Sequence, residues 1–308
     1  MNSIEYKEIS LIQDMEYTAT CNHIKLTEDG THLISCGSYR PQIKIHELKE
    51  LAMKLERHMD SEPIRLEILD TNHHKLAILR DDRTIEFHAK YGVHHKIRVP
   101  SLGNDLCLNK LKADLLICGY SNEIYRFNLQ QGRFIKSYTT SLKKINSIKI
   151  NPIHNLIGYV GDSKIEFIDP RNKNIIASIE MQFHELTKMA YSGNGINFCI
   201  GGSDNTNKNK VQMFDLRSKN PIKQNLHDTK ISDVLFNGKN IISADRNNIK
   251  IWNSEEYALD IQTDGIINTL EVDKGILFVG YEGGPIKTYY SSILGGIPEW
   301  VECKSNLL

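Results

Sequence analysis

The chain has 308 residues, with 38 Lys plus Arg against 38 Asp plus Glu, a formal net charge of +0 at pH 7. That balance argues against a dedicated nucleic-acid binder, which carries a basic excess to displace counterions from phosphate, though it leaves room for a local basic patch. Hydrophobic residues at 40% and charged residues at 25% are an ordinary globular mixture and not a disordered one.

Residues 1–10 are polar, with Glu5, Lys7 and Glu8, and lack the apolar stretch of a signal peptide. No apolar run approaches the ~18 residues of a membrane helix, so a soluble cytosolic or nuclear protein is expected, with no membrane partner. The six cysteines, Cys21, Cys36, Cys107, Cys118, Cys199 and Cys303, form no C-x-x-C pair. Several lie in apolar runs, and they read as reduced core thiols.

One short pattern recurs along the chain. A β-branched residue is followed by a polar one, an apolar one and a bulky one. It begins at Ile43, Ile85, Ile124, Ile165, Val211, Ile249 and Ile286, with spacings of 42, 39, 41, 46, 38 and 37. That period matches the ~40–45 residues of a WD40 blade. The sixth unit ends in Trp252-Asn253, one step from the Trp-Asp that names such repeats. Before each unit stands a short apolar strand that ends in small residues and a turn, as at residues 33–38, 115–121, 198–204, 241–245 and 277–280. The small residues are expected to let blades approach near the axis. The turn aspartates Asp82, Asp162, Asp204 and Asp245 suit tight turns, because their carboxylates reach nearby amides. Each unit therefore reads as strand b, turn, strand c. An inner strand a precedes it (residues 145–150 in the fourth unit), and a more polar outer strand d follows it (residues 134–139 in the third).

One such blade cannot bury both faces, but seven packed radially can. The expected fold is all-β: a seven-bladed WD40-type β-propeller forming a single domain over residues 1–308. Little chain follows Tyr290, so residues within 1–13, in particular 8–13, are expected to supply the outer strand of the last blade. Residues 291–308 are expected as a C-terminal tail. The polar insertion at residues 204–210 fits a longer b–c loop.

No catalytic arrangement can be placed: there is no G-x-S-x-G, P-loop or dinucleotide fingerprint. Gly201-Gly202 and Gly283-Gly284 fall at strand turns, where backbone geometry explains them. Twelve histidines raise the question of a metal, but His73-His74 and His94-His95 are adjacent pairs, which on a strand point to opposite faces. No metal, cofactor or small-molecule substrate is expected. His46 and His88 share the column of Trp252 and are expected to pack between blades. The densest basic and aromatic segment is residues 88–98, containing Lys90, His94, His95, Lys96 and Arg98. It reads either as a solvated hairpin joining blades two and three or as a contact for RNA phosphate or an acidic protein. Lys54, Arg57 and His58 have similar standing. Asp169-Pro170-Arg171 and Asp215-Leu216-Arg217 resemble the D-x-R ends of WD40 substrate receptors of cullin-type ubiquitin ligases, a competing reading. Lys143-Lys144 and Lys208-Asn209-Lys210 are too sparse for a nuclear-localisation signal, so import with a partner is one route.

Several segments go beyond a general WD40 pattern. They are residues 11–16, 36–41, 54–62 (K-L-E-R-H-M-D-S-E), 82–88, 123–134 (E-I-Y-R-F-N-L-Q-Q-G-R-F), 150–152, 214–217 and 243–246. Tyr289-Tyr290, Leu294-Gly295 and Pro298-Glu299-Trp300 complete the set. Through them, roughly residues 9 to 306 resemble the nucleolar protein 10 family, called essential nuclear protein 2 in yeast. The resemblance implies a non-catalytic scaffold in the small-subunit processome, acting in maturation of small-subunit ribosomal RNA in the nucleolus. It also implies partners among ribosome assembly factors, including relatives of neuroguidin, with pre-ribosomal RNA contacted mostly indirectly. Against that family the ends and the connection at residues 179–186 look short, as in a minimised member. The contact surface expected is residues 54–62 together with 90–98.

Overall fold

Period-2 strands separated by turns can bury both faces only by stacking on one another, and the computed structural model shows that outcome. It describes residues 6–9, 15–204, 206, 208–255 and 257–301. Seven four-stranded antiparallel blades follow in order: blade 1 over residues 20–58, blade 2 over 63–98, blade 3 over 103–139 and blade 4 over 147–180. Blade 5 spans 185–227, blade 6 spans 233–262, and blade 7 takes three strands from residues 266–290. Strand a lies innermost in each blade and strand d outermost. The seven innermost strands touch in succession, and strand a of blade 7 meets strand a of blade 1.

The ring closes through the N-terminus. Lys7–Ile9 pairs antiparallel with Lys287–Tyr290, Lys7 opposite Tyr290 and Ile9 opposite Thr288. It thereby supplies the fourth strand of blade 7. Of the residues expected to do this, 10–13 lie outside the described residues. The chain then runs along the same blade, where the Met15 carbonyl accepts the Ile286 amide at 2.7 Å, before entering strand a of blade 1. Residues 291–301 cross over blades 6 and 7. Asn237 and Asn240 hold the Leu294 and Ile293 carbonyls at 2.8 and 2.9 Å. Trp300 stacks on Phe278 and donates to Asp273 at 2.8 Å.

The apolar residues do not form one core. Among the described residues they form seven clusters, one between each pair of successive blades. The pleat explains this. In strand b of blade 1, His32–Ser38, Leu33 faces blade 7 while Ile34 and Cys36 face blade 2. Each buried Leu, Ile or Phe contributes about 1.5–3 kcal/mol, against about 1 kcal/mol net for a hydrogen bond. The clusters thus dominate stability, and the polar contacts choose the register.

Five of the seven inner strands carry a β-bulge, whose extra residue is Asn22, Ile64, Asn104, Thr187 or Asn268. A bulge leaves its extra residue unpaired and re-aims its side chain. The asparagines among them reach the next blade: Asn22 donates to the Pro63 carbonyl at 2.7 Å, Asn104 to Ile145 at 3.0 Å and Asn268 to Cys21 at 3.4 Å. Asn146, one residue before strand a of blade 4, donates to Leu186 at 2.6 Å. The small residues of strand b act partly within their own blade. A Cβ on Gly161 would overlap the Lys144 carbonyl in the connection that enters the same blade, whereas Gly201 makes room for Val234 of blade 6 and for Ile231 just before it.

The bulky column of strand c is buried as expected: Trp252, His46 and His88 are all interior. In blade 6 this column ends a polar relay. Trp252 Nε1 donates to Ser243 Oγ at 3.0 Å, Ser243 meets His227 Nε2 at 2.8 Å, and His227 Nδ1 faces Asp245 at 3.4 Å. His227 ends strand d of blade 5, so the relay pins one blade to the next. Asp245 and Asp82 form the expected turns, accepting the amides of Asn247 and Asn248 at 2.8 Å and of Thr84 at 3.0 Å. Asp204 instead pairs with Lys210 at 2.9 Å, and Asp162 occupies a left-handed turn position at φ 45°.

Without the strand Lys7–Ile9, the outer edge of blade 7 is open. Deleting residues 1–13 is expected to lower the melting temperature by several degrees, read by thermal unfolding; an unchanged curve would remove the closing role.

Candidate functional site

The two sequence segments singled out for contact occupy neighbouring outer strands. Strand d of blade 1 is Ala52–His58 and strand d of blade 2 is Gly92–Arg98, so the hairpin at residues 88–98 does not join blades 2 and 3 but lies within blade 2, where strand d pairs back on strand c. In both, exposed positions alternate with half-buried ones or crowd the strand, as an edge with one solvated face requires. Arg57 joins them. Its guanidinium donates to the Ala89 carbonyl at 3.0 Å and the Lys90 carbonyl at 2.8 Å, and lies 3.3 Å from His88 Nδ1. With Nδ1 accepting from Arg57, the His88 Nε2–H points at Glu86, 3.1 Å away.

Glu86 is the hub of this contact. It is buried and accepts from Arg80, from His88 and from Lys96 at 2.7 Å. Burial alone would push its carboxyl up, but the His88 and Lys96 hydrogen bonds and the Arg80 and Lys96 charges outweigh it and hold the group at about 2. Lys96 also pairs with Asp60 at 2.8 Å, and Arg80 with Asp82. Arg57 therefore fastens blade 1 to blade 2, and Lys96 ties the outer strand of blade 2 to its strand c and to the connection from blade 1.

The remaining candidates divide. Lys54 pairs with Glu47 at 3.0 Å and touches His32 Nε2 at 3.0 Å. His58 lines a different cleft with Tyr17, Tyr39, Arg40 and Lys44. His94 and His95 line a cleft of about 580 Å³ between blades 2 and 3, with Tyr91 at its rim and Phe87, Phe127 and Leu129 beneath. His94 is hydrogen-bonded to Tyr91, which is 75% exposed. The Lys90 and Arg98 side chains have no ion-pair partner among the described residues and are exposed. Accessible charge and ring surface thus concentrates on Lys90, Tyr91, His94, His95 and Arg98. The apolar floor of the cleft escaped the sequence reading because Phe127 comes from the next repeat. It occupies the same strand c column as His88, facing Leu115 where His88 faces Leu76, and that column was the available signal.

The histidine pairs differ from one another. His94 and His95 lie on a strand, but His73 and His74 precede strand b of blade 2 in a turn, so the opposite-face argument does not hold for them. Their ring centroids are 4.2 Å apart, and the His73 ring lies 3.9 Å from that of His32, tilted by 34°. Among the described residues no group of three or more His, Cys, Asp or Glu is placed to hold a metal. The five described cysteines are free thiols, and burial raises Cys36 and Cys107 to about 12. Both D-x-R segments are local turns. Asp169 accepts the Arg171 amide at 2.8 Å, and Asp215 accepts the Arg217 amide at 2.8 Å and its guanidinium at 2.7 Å.

The Glu86 hub gives a pH signature. A carboxyl held at about 2 against an ordinary 4.5 stabilises the fold fully above 4.5 and ceases to do so as pH falls through 2. The difference in melting temperature between the wild type and Glu86→Gln is expected to be greatest at neutral pH and to shrink across that window. A difference independent of pH would mean that Glu86 is not held ionised.

A family model described as Nucleolar protein 10-like, N-terminal domain, matches residues 2–307. Nucleolar protein 10 of Xenopus laevis is 30% identical over 321 residues, covering 98% of this chain and 46% of that protein. Nucleolar protein 10 of Homo sapiens is 30% identical over 318 residues, covering 98% and 46%. Ribosome biogenesis protein ENP2 of Saccharomyces cerevisiae is 30% identical over 319 residues, covering 97% and 44%. The chain spans slightly less than half the length of these relatives.

Proposed function

This chain belongs to the nucleolar protein 10-like family, and on that premise we propose that it is the propeller platform of a ribosome-assembly factor working in the nucleolus. The observation that carries the reading is the match over residues 2–307 together with relatives named for the nucleolus and for ribosome biogenesis. The finer assignment is to the small-subunit processome, in maturation of small-subunit ribosomal RNA. The role is one of binding and not of catalysis. Rigid outer strands present cations and rings next to an apolar cleft, a combination suited to gripping a segment of another protein. The partners we assign are other processome proteins, neuroguidin-like factors among them, with precursor RNA reached mainly through them.

The docking surface we assign is the cleft between blades 2 and 3 at Tyr91, His94 and His95, extended along the same outer strand and its turn by Lys90 and Arg98. Arg57 and Lys96 support it from behind, so reversing their charge would disturb the blades as well as the surface.

The test is to tag the protein, isolate it at moderate salt, and sequence the RNA and identify the proteins that come with it. Small-subunit precursor RNA with processome proteins is the expected recovery. The Lys90→Glu/Arg98→Glu protein is expected to keep its melting curve and to lose most of both. Recovery of ligase subunits without precursor RNA would overturn the ribosomal reading; full recovery with the double variant would overturn the surface alone.

A further inference from the structure

Two cavities meet on the propeller axis, well away from the outer strands. The deeper one, about 350 Å³, is walled by residues of all seven blades. The other, about 390 Å³, lies among the starts of the inner strands of blades 4 to 7 and the b–c turn of blade 6, and so forms a mouth on that face. Lys188 of blade 5 lines both and marks where they join.

The wall carboxylates are largely committed to the frame. Asp105 accepts the Ser147 hydroxyl and the Ile148 amide at 3.0 Å, and Asp233 accepts the Leu270 amide at 3.2 Å. Glu67 holds Lys25 at 2.6 Å. The other interior cations are held at longer range. Arg65 stands 3.6 Å from Asp105 with its Nε making no hydrogen bond, and Lys188 stands 3.9 Å from Asp233. Lys149 has no ion pair within 4 Å among the described residues; the Asp105 charge is the largest influence on it. At the mouth, Glu185 is shared between Lys144 at 3.1 Å and Lys230 at 3.8 Å, and the Arg246 guanidinium has no ion pair among the described residues. Four cations against Glu185 and Glu282 give the mouth an excess of positive charge.

We propose that this mouth and the channel behind it form a docking site for an acidic peptide segment of a partner protein, separate from the outer-strand surface. The cations stand at successive depths: Lys230, Arg246 and Lys144 line the mouth, Lys188 lines both cavities, and Lys149 and Arg65 line the deeper one. Cations spread over successive depths suit carboxylates spaced along a chain, where a single phosphate would call for convergence on one point. The exposed apolar side chain of Ile266 at the mouth suits the side-chain stems of a peptide. The described residues lining the mouth include no aromatic ring on which a base could stack.

The experiment uses the whole chain and a fluorescein-labelled poly-glutamate peptide, read by anisotropy at low and moderate salt. Poly-glutamine and oligo-uridylate serve as comparisons. Poly-glutamate is expected to bind, to weaken with salt, and to lose about tenfold or more in affinity with Lys230→Glu/Arg246→Glu, whose altered side chains are exposed. An unshifted melting curve shows that the variant remains folded, and Lys188→Met tests the interior by the same readout. Three results would overturn the proposal: no binding by the wild type, equal binding by the charge-reversed protein, or oligo-uridylate binding as tightly as poly-glutamate.

Discussion

The constraint on which the rest of the molecule depends is that no blade can stand alone. The apolar side chains of each blade are split between two clusters shared with its neighbours, so removing one blade exposes parts of two cores. Bulges near the start of most inner strands answer the geometric side of the same problem. They lift a residue out of the ladder, and where that residue is Asn22, Asn104 or Asn268 its amide caps a carbonyl of the next blade. The energy comes from apolar burial and the alignment from a few amide-to-carbonyl bonds. A pair of packed faces has many sliding positions of similar area, whereas a hydrogen bond has one.

The same frame explains why charge sits where it does. A buried carboxylate is costly unless its partners are supplied by the fold. Asp105, Asp233 and Glu86 all meet that condition, each by holding groups on a neighbouring blade or strand. Asp245, held at about 2, does so too: burial pushes it up, and the His227 contact with the Asn247 and Asn248 amides more than offsets this. Cations left over from this pairing remain available at two places, the blade 2 outer strand and the axial mouth. Arg98 and Lys188 are carried on strands, and Lys90, Lys144, Lys230 and Arg246 stand in the turns and connections beside them.

Much of the architecture was legible in one sequence because the repeat is long-range and redundant. The starts of strand c were readable from the column that begins at Ile43, and the sixth unit from Trp252. Strand b of blade 6 runs Asn240–Ala244 where the sequence suggested 241–245. The closing strand was legible from a count, seven units with too little chain after the last, but its position at Lys7–Ile9 was not, since a short edge strand has no pattern of its own. The roles of the site residues were the least legible. Arg57, Lys96 and Arg98 look alike as letters. Only the packing of blade 1 on blade 2 shows that Arg57 reaches the Ala89 and Lys90 carbonyls, that Lys96 is bound to Glu86 and Asp60, and that Arg98 is not so engaged. The axial cations were missed because Lys25, Arg65, Lys149 and Lys188 are far apart in sequence and meet only when the ring closes.

If the ring is one cooperative frame, damage at one seam must be felt at the opposite side. Amide hydrogen exchange in the Asn22→Ala protein tests this directly, because that side chain bridges blades 1 and 2 only. The account predicts that protection in strand a of blade 5, Glu185–Tyr191, falls by the same factor as in strand a of blade 1, Thr20–Leu26, as global opening requires. Loss of protection confined to blades 1 and 2, with blade 5 unchanged, would contradict it and show blades that open independently.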